Sequence, residues 1–537
     1  MKSPGLFLLL ALAFAGCGGP AEQAGKTVFR YNESVGISSL DPAYARNLEN
    51  MWAVNQVFDG LVELNADLEV VPLLARAWDV SDSGRTYTFH LRNDVFFHAD
   101  PNLGPARKLV ASDVVYSFNR ILDPEVASPG KWIFGPVDTD LGGFEALNDS
   151  TLNIYLRQPF PPFLGMLATQ YCNVVSPEAV AHYGPDFRSH PVGTGPFQFA
   201  HWVEDVALVF HKNPDFWQTD ATGVPLPYLD AIKIDFVRDM SVEYLGLLKG
   251  EYDFMSGLHP AYKDELLTTD GQLSPTFEDR LKLQTTPFLK TDYLGILVDD
   301  SLEVSANHPL HDARVRQALS LAINRADMVR YLRNNAVVPA DGGFVPKGMA
   351  GHSGGDVLFD VEAAKAMLAE AGYPSGQGIP PIDITTTSDY VDLCEFVQFA
   401  WRELGLQVTV DVQQGATHRE NVAQSRALVF RKSWLADYAD AENFLGLFHS
   451  GNFAPNGPNY THYSNPQFDA WYDQAIAATT DTERTALYQR MDLLVRAESP
   501  VIPLFYDQVT HFVGQRVQGL QTNGVNMLDL KWVSVKE

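Results

Sequence analysis

The residues best suited to chemistry in this sequence form a charged and aromatic stretch, 431–442, which follows the apolar run 427–430. The apolar run predicts a buried strand, and alternate residues of an extended continuation project to one face. Arg431 and Asp437 would then share a surface, roughly 20 Å apart, which is too far for a direct ion pair. Such a spacing suits a ligand with an ammonium group at one end and a carboxylate at the other.

The side-chain types in this stretch indicate which contact each residue would make. The Asp437 carboxylate could accept hydrogen bonds from an ammonium group, and the Arg431 guanidinium could bind a carboxylate through two parallel bonds. Trp434 could form a wall of the site, with Ser433 and Leu435 on either side of it. A solvated acidic loop beside an ordinary core tryptophan explains the same residues, because charged clusters after strands are common on protein surfaces.

The sequence contains one motif that is typical of hydrolases. Residues 351–355 match G-x-S-x-G, in which Ser353 would be an acyl-transfer nucleophile. This nucleophile elbow requires a strand before it and a helix after it, whereas residues 346–350 are typical of a loop and residues 356–360 delay the next helix. We therefore expect no enzyme activity, and a secreted serine hydrolase acting through Ser353 remains a remote alternative.

The sequence predicts no metal site and no cofactor. It has no H-E-x-x-H motif, no paired C-x-x-C motif and no phosphate-binding G-x-x-x-x-G-K motif. His98 and His462 each offer one possible ligand, which does not make a site. Asp437, Asp440 and Glu442 could bind calcium as oxygen donors, but they lack a glycine-hinged loop.

The N-terminus predicts export. An apolar block, residues 6–14, is too short to cross a bilayer as a mature helix and is followed by Ala-Gly-Cys. This pattern resembles a bacterial lipobox, so we expect residues 1–16 to be a signal peptide, Cys17 to be lipidated and residues 17–26 to be a tether. Phe14 stands where an aliphatic residue is usual, which leaves cleavage without lipidation open.

Composition narrows the class of protein further. The 537 residues exceed the length that one hydrophobic core normally holds, so two or three lobes are expected. The 66 acidic and 39 basic side chains give a net charge of −27, which repels nucleic acid. Cys394 lies on the apolar face of a predicted helix and Cys172 in a predicted buried strand, so neither indicates a disulfide framework.

Several motifs carry a resemblance to a known family across nearly all of the mature chain. They are SLDPA at 39–43, VFDGL at 57–61, VGTGPF at 192–197, a helix predicted over 313–325 that contains RQALSLAINR, and WLADY at 434–438. The chain resembles the bacterial extracellular solute-binding proteins of family 5, the oligopeptide- and dipeptide-binding class of ABC transporters.

The resemblance implies an α/β fold like the type II periplasmic binding proteins, a two-lobed clamp with an additional domain and mixed sheets. The implied parts are lobe I (27–58, 186–285 and 505–537), the additional domain (59–185) and lobe II (286–504). Two crossing strands are expected to join the lobes, near residues 188–192 and 500–506.

The resemblance also implies a function. Asp437 corresponds to the carboxylate that pairs with the α-amino group of a peptide, Arg431 to an arginine that meets the ligand carboxylate, and residues 433–435 to a strand that binds the ligand backbone. The expected protein is a lipid-anchored monomer, in the periplasm or on the outer face of the membrane. It would deliver short peptides to an ABC permease and its ATPase subunits.

The sequence departs from the family pattern at two places. Arg46 stands where oligopeptide binders can carry an acidic contact residue, and Ala441 replaces the usual proline after the second acid of the central motif. A non-peptide solute such as a metal complex, haem or a saccharide is therefore an open alternative, as is an anionic ligand attracted by Arg46, Arg431 and Lys432.

Overall fold

The computed structural model describes residues 26–259, 262–355, 359–478 and 480–536. The predicted signal peptide, 1–16, and the predicted lipidation site, Cys17, lie outside these residues. Within the described part of the chain, no helix has both the length and the apolar character needed to span a bilayer.

The described chain alternates strands and helices along most of its length. The strands are β1 (Val28–Asn32), β2 (Val62–Leu64), β3 (Val70–Pro72), β4 (Ala75–Ser81), β5 (Thr86–Leu91), β6 (Phe144–Asn148), β7 (Thr151–Tyr155), β8 (Phe197–Val203), β9 (Ala207–Lys212), β10 (Ala231–Asp235), β11 (Phe254–Ser256), β12 (Leu281–Ile296), β13 (Val338–Pro339), β14 (Ile382–Thr386), β15 (Val408–Val412), β16 (Val429–Leu435), β17 (Val501–Gly514), β18 (Val517–Gln518) and β19 (Ser534–Val535). The helices are α1 (Leu48–Val57), α2 (Ala111–Leu122), α3 (Phe163–Met166), α4 (Pro177–Tyr183), α5 (Met240–Lys249), α6 (Lys263–Leu266), α7 (Ala313–Leu321), α8 (Arg325–Arg333), α9 (Val361–Glu370), α10 (Val391–Arg402), α11 (Gly415–Ala423), α12 (Glu442–Leu445), α13 (Pro466–Ala477) and α14 (Asp481–Glu498).

One large sheet runs through the molecule. Its strand order is β15-β14-β16-β12-β17-β11-β1-β10-β9-β8, with β13 paired to β17 outside this path. Parallel pairs occur at β1/β10 and β14/β15, whereas β12 is antiparallel to both β16 and β17. A second, antiparallel sheet has the order β4-β5-β7-β6 and lies within the predicted additional domain. The prediction of an α/β fold with mixed sheets is therefore confirmed.

The two long strands β12 and β17 connect the two ends of the large sheet. They pair antiparallel from Leu281 opposite Gly514 to Gly295 opposite Val501, with an irregularity after Pro287. At one end, Phe512 of β17 packs in a small core with α5 and α6; toward the other end, Leu294 and Ile502 pack in the core of α7, α8 and α10. The same two strands thus serve separate cores and form the crossover between them.

The expected position of one crossing strand was wrong. Residues 188–192 are the end of a short 3₁₀ helix, Gly184–Ser189, and the turn after it. The strand that accompanies β17 is instead β12, whose sequence LKLQTTPFLKTDYLGI mixes polar residues and a proline with apolar ones. Its polarity changes along its length because it passes from one core to the next, so no simple alternation marks it as a strand.

Local patterns predicted several elements correctly. Strands β14 and β15 are parallel and flank α10, the predicted βαβ unit, and Cys394 is buried on α10.

Two other local predictions differ from the structure. The helix predicted over 313–325 is two helices, because the Asn324 side chain accepts a hydrogen bond from the Asp327 N–H and starts α8. The prediction that Cys172 lies in a strand was wrong, because it ends the 3₁₀ helix Gln170–Cys172; Cys172 and Cys394 are both buried and free.

Candidate functional site

A cavity of about 620 Å³ opens where the end of β16 meets the N-terminal part of the chain. This volume is in the range of small-ligand pockets, and the lining is mixed apolar and polar. The lining residues are Arg46, Leu48, Met51, Asn55, Glu63, Leu64, Pro129, Trp132, Gly165, Ala168, Thr169, Gln170, Tyr171, Phe288, Leu435, Ala436, Asp437, Tyr438, Asn523, Val525, Met527 and Asp529. The predicted stretch thus reaches the cavity only with its residues from Leu435 onward.

Asp437 is held at the cavity wall by the residues around it. Strand β16 ends at Leu435, and the Ala436 N–H donates to the carbonyl oxygen of Leu289 on β12 (2.9 Å). The Asn443 Oδ1 accepts from the Asp437 N–H (3.2 Å) and from the Trp434 Nε1 (2.9 Å), and its Nδ2 donates to Asp437 Oδ2 (3.2 Å). One amide side chain therefore fixes both the backbone and the carboxylate of Asp437.

Among the residues that the structure describes, the Asp437 carboxylate has no cationic partner. No Lys, Arg or His nitrogen of the described residues lies within 4.0 Å of it. Burial in the cavity wall raises its pKa, and the hydrogen bond from Asn443 partly offsets this effect. Asp437 is nevertheless exposed in the ligand-free cavity, so a ligand that brings a positive charge can reach its carboxylate.

The neighbouring acids are, by contrast, already compensated. Glu442 accepts hydrogen bonds from the hydroxyl groups of Tyr438 and Tyr472, and Asp440 lies 3.5 Å from the Arg484 guanidinium. Burial raises the pKa of both acids. Among the described residues no group of three His, Cys, Asp or Glu side chains is placed to hold a metal ion.

Arg431 lies away from the cavity. Its side chain is buried, forms an ion pair with Asp292 of β12 and stacks on the Tyr390 ring, with its guanidinium carbon 3.1 Å from the ring centre. Burial lowers the pKa of Arg431 to about 9. The predicted contact of Arg431 with a ligand carboxylate would require the guanidinium to leave Asp292, because Arg431 is not part of the lining.

The other predicted site residues are also divided. Leu435 lines the cavity and is exposed, whereas Ser433 and Trp434 are half-buried and lie behind it. Ser433 is opposite Asp292 in the β12–β16 ladder, and the Trp434 ring nitrogen is bound to Asn443. The structure therefore brings Leu435 and Asp437 to the cavity and leaves Arg431, Ser433 and Trp434 outside its lining.

A second group of charged residues borders the opposite part of the cavity. Glu63 and Asp529 belong to the lining, and the buried Lys531 ammonium lies 2.7 Å from Glu63 and 3.5 Å from Asp529. Asp59 is buried nearby, where burial raises its pKa to about 7. Sequence analysis missed this group, because Glu63 and Lys531 are 468 positions apart and no motif links them.

The aromatic ring of Tyr438 contacts the far side of the cavity. It stacks on Trp132, with ring centres 6.0 Å apart and an interplanar angle of 28°. The hydroxyl group of Tyr438 is bound to Glu442, so the ring is fixed from behind. This pair joins the residue next to Asp437 to the segment that carries the additional sheet.

The loop around Ser353 does not have the geometry of a nucleophile elbow. No strand leads into residues 351–355, and the next described helix, α9, begins at Val361. The Ser353 N–H donates to Asp492 (3.1 Å), which also accepts from the N–H groups of Phe344 (2.6 Å) and Val345 (3.1 Å). Asp492 thus holds this loop against α14 by backbone hydrogen bonds.

Comparison with known proteins agrees with this architecture. The profile of the bacterial extracellular solute-binding proteins, family 5 Middle, matches residues 69–456. Heme-binding protein A of Haemophilus influenzae is 28% identical over 86% of this chain and 82% of its own length, and the dipeptide-binding protein of Escherichia coli is 26% identical over 89% of each. The solved periplasmic binding protein DppA of Helicobacter pylori, in complex with the peptide STSA, is 26% identical, covers 96% of this chain and 98% of its own, and has a TM-score of 0.73.

The buried pair Arg431–Asp292 should contribute to stability. Replacing Arg431 by Gln removes one of the two cations beside the fully buried Asp292 carboxylate and leaves Lys290, 3.3 Å away, as the other, so the free energy of unfolding should fall by about 1–3 kcal/mol. Urea unfolding followed by circular dichroism measures this change. The double variant Arg431→Gln/Asp292→Asn should regain much of the loss, and a double variant as unstable as the single one would contradict the ion-pair interpretation.

Proposed function

Because the chain belongs to the bacterial extracellular solute-binding proteins of family 5, which serve ABC transporters, we propose that it captures short peptides and delivers them to an ABC permease and its ATPase subunits. The cation-free carboxylate of Asp437 at the cavity wall is the observation that carries this proposal. A peptide α-ammonium group would supply the missing positive charge and donate to the carboxylate oxygens.

The edge of β16 that no described strand pairs with beyond Phe430 supports a peptide over other solutes. This strand pairs with β12 along residues 429–435, whereas β14 covers its other edge only at Val429 and Phe430. An extended ligand could add itself beside residues 433–435 and bind their backbone groups, as in other cases of strand addition. Affinity would then come from the peptide backbone and one charged end, and this mode of binding tolerates varied peptide side chains.

Capture would work by closure of the two lobes. We propose the boundaries expected from the sequence, with lobe I at 27–58, 186–285 and 505–537, the additional domain at 59–185 and lobe II at 286–504. The ladder between β12 and β17 crosses between the lobes and is the natural hinge. A ligand that touches both sides of the cavity stabilises the closed state by its greater affinity for that state.

The charges of the lining also bear on the alternatives. The described lining carries three carboxylates, those of Glu63, Asp437 and Asp529, and one cation, Arg46. Lys531 already pairs with Glu63 and Asp529, so Asp437 is the acid of the described lining that is left for a ligand, and it favours a ligand with an amino group. We further propose that the protein acts as a monomer outside the cytoplasm, anchored through lipid at Cys17.

The molecules that co-purify with the protein test the proposal most directly. Native mass spectrometry of the purified protein, followed by denaturation, should release peptides of a narrow length range. A released metal complex, haem or sugar, in place of peptides, would contradict the peptide proposal.

Asp437 should be required for binding of peptides with a free amino terminus. In Asp437→Asn the ammonium group loses its counter-ion, so affinity should fall by about 3–5 kcal/mol, which is more than about 100-fold. Isothermal titration calorimetry with the peptides found above measures the change. Asp270→Asn, at an exposed acid outside the cavity, is the matched control, and N-acetylated peptides should bind both variants equally weakly. Unchanged affinity of Asp437→Asn would remove the proposed amine contact.

Peptide affinity should depend on pH through Asp437. Burial raises the pKa of this group above its usual value of 3.8 in the ligand-free protein, and only its charged form attracts an ammonium group. Affinity should therefore be full well above the raised pKa and fall as the pH drops through it. Binding constants measured from neutral to acid pH should show this decline in the wild type and a much flatter profile in Asp437→Asn, while the fold persists by circular dichroism. Equal profiles would assign the effect to another acid, such as Asp59.

A further inference from the structure

We propose that Arg46 binds the carboxylate of the ligand, so that the two charged ends of a short zwitterionic peptide are held by Arg46 and Asp437 in the cavity that both residues line. This inference rests on the proposed function and deepens it, because it names a free carboxyl terminus as a second requirement. It also replaces Arg431, the arginine expected from the sequence, with an arginine from the N-terminal segment.

Arg46 is the cation of the cavity that remains available. It is exposed, and it is the only Lys, Arg or His among the described lining residues. No described carboxylate oxygen lies within 4.0 Å of its guanidinium, whereas the nearby Arg120 is paired with Asp41 (2.6 Å). An unpaired guanidinium in a protein of net charge −27 is a site that an incoming carboxylate can occupy without displacing another acid.

The backbone that carries Arg46 is firmly fixed. Asp41 caps the 3₁₀ helix Pro42–Tyr44 by accepting from the Ala43 N–H (3.0 Å), and both its oxygens accept from Arg120. The Arg46 N–H donates to the Tyr44 carbonyl oxygen (2.7 Å), and α1 begins two residues later. Since the backbone is held on both sides, the side chain starts from a defined point at the cavity wall, and less entropy is lost when it binds.

Arg46 and Asp437 act on the same part of the cavity. Tyr171 belongs to the lining, and burial raises the pKa of its hydroxyl group, while Arg46 lowers that pKa and Asp437 raises it. Both charges are thus close enough to influence one hydroxyl group. A ligand lying across Tyr171 would meet a carboxylate at one end and a guanidinium at the other.

Arg431 cannot easily take this role in the described arrangement. Its guanidinium is buried between Asp292 and the Tyr390 ring, and withdrawing it would break a buried ion pair and leave Asp292 with Lys290 alone, 3.3 Å away. Arg46 has no carboxylate partner among the described residues, so it can bind a ligand carboxylate without breaking an existing ion pair.

The arrangement also links ligand charge to closure. Asp437 follows β16, which pairs with β12, and Arg46 precedes α1, which packs in the separate core of β1 and β10. A peptide with both termini free would bridge the two sides, whereas a peptide amide would satisfy Asp437 and leave Arg46 without a partner. Peptides with a blocked carboxyl terminus should therefore bind more weakly and close the lobes less completely.

A pair of matched ligand libraries tests this inference. Random di- to tetrapeptides are offered once with free carboxyl termini and once as C-terminal amides, and binding is measured by native mass spectrometry and calorimetry. Wild-type protein should prefer the free acids by at least about tenfold, as expected for a charge-assisted hydrogen bond. Arg46→Gln should bind acids and amides equally, and Arg46→Lys should keep part of the preference.

The controls separate this inference from the proposed function. Arg76→Gln, at an exposed arginine outside the cavity, should behave as the wild type, and all variants should keep the wild-type melting temperature. If Arg46→Gln keeps the full preference for free acids while Asp437→Asn loses binding, the role of Arg46 is wrong and the peptide function stands. Equal binding of acids and amides by the wild type also overturns the inference, and binding of neither library overturns both proposals.

Discussion

The antiparallel ladder between β12 and β17 is the constraint on which the rest of the structure depends. It runs from Leu281 opposite Gly514 to Gly295 opposite Val501, and its two strands contribute side chains to two separate cores. Backbone hydrogen bonds along the ladder keep the two sides in register, while the irregularity after Pro287 interrupts the pairing near the cavity. A ladder of this kind resists stretching but permits bending, because its hydrogen bonds lie across the strands and not along them.

The cavity inherits its position from this ladder. Strand β16 lies against β12, and the Ala436 N–H bound to the Leu289 carbonyl oxygen directs the chain out of the sheet just before Asp437. Phe288 of β12 lines the same cavity, so one strand positions part of the wall and also anchors the residue proposed to bind the ligand. Asn443 then completes the placement by bonding the backbone and the carboxylate of Asp437 together.

Most buried acids near the cavity are paired with partners of the protein, whereas Asp437 and Arg46 have no ionic partner among the described residues. In this acidic chain Glu442 is bound by two tyrosine hydroxyl groups, Asp440 lies beside Arg484, and Asp292 is paired with Arg431. Asp437 and Arg46 have no such ionic partner among the described residues, although both line the cavity. Since a buried charge is costly unless it is paired, the surrounding acids are satisfied internally, and the free charges are those that solvent or a ligand can reach.

Local signals in the sequence determined much of this protein. The alternating and helical periodicities of β14, α10 and β15 predicted a parallel βαβ unit, and the acid after a buried strand directed attention to Asp437. The motifs that indicated the family, such as SLDPA at 39–43 and WLADY at 434–438, are contiguous stretches, so they can be recognised without the structure. Secondary structure and short motifs can be predicted in this way because they depend on residues only a few positions apart in the sequence.

The tertiary structure decided which residues share the cavity. Arg431 and Asp437 are near in sequence, yet the pairing of β16 with β12 buries Arg431 against Asp292, and the chain leaves the strand before it reaches Asp437. Arg46, Glu63 and Asp529 reach the same cavity from distant parts of the chain, and Lys531 meets Glu63 across 468 positions. Such contacts follow from strand order and from the crossing of β12 and β17, which no local pattern encodes, because the residues that meet are brought together only when separate cores assemble.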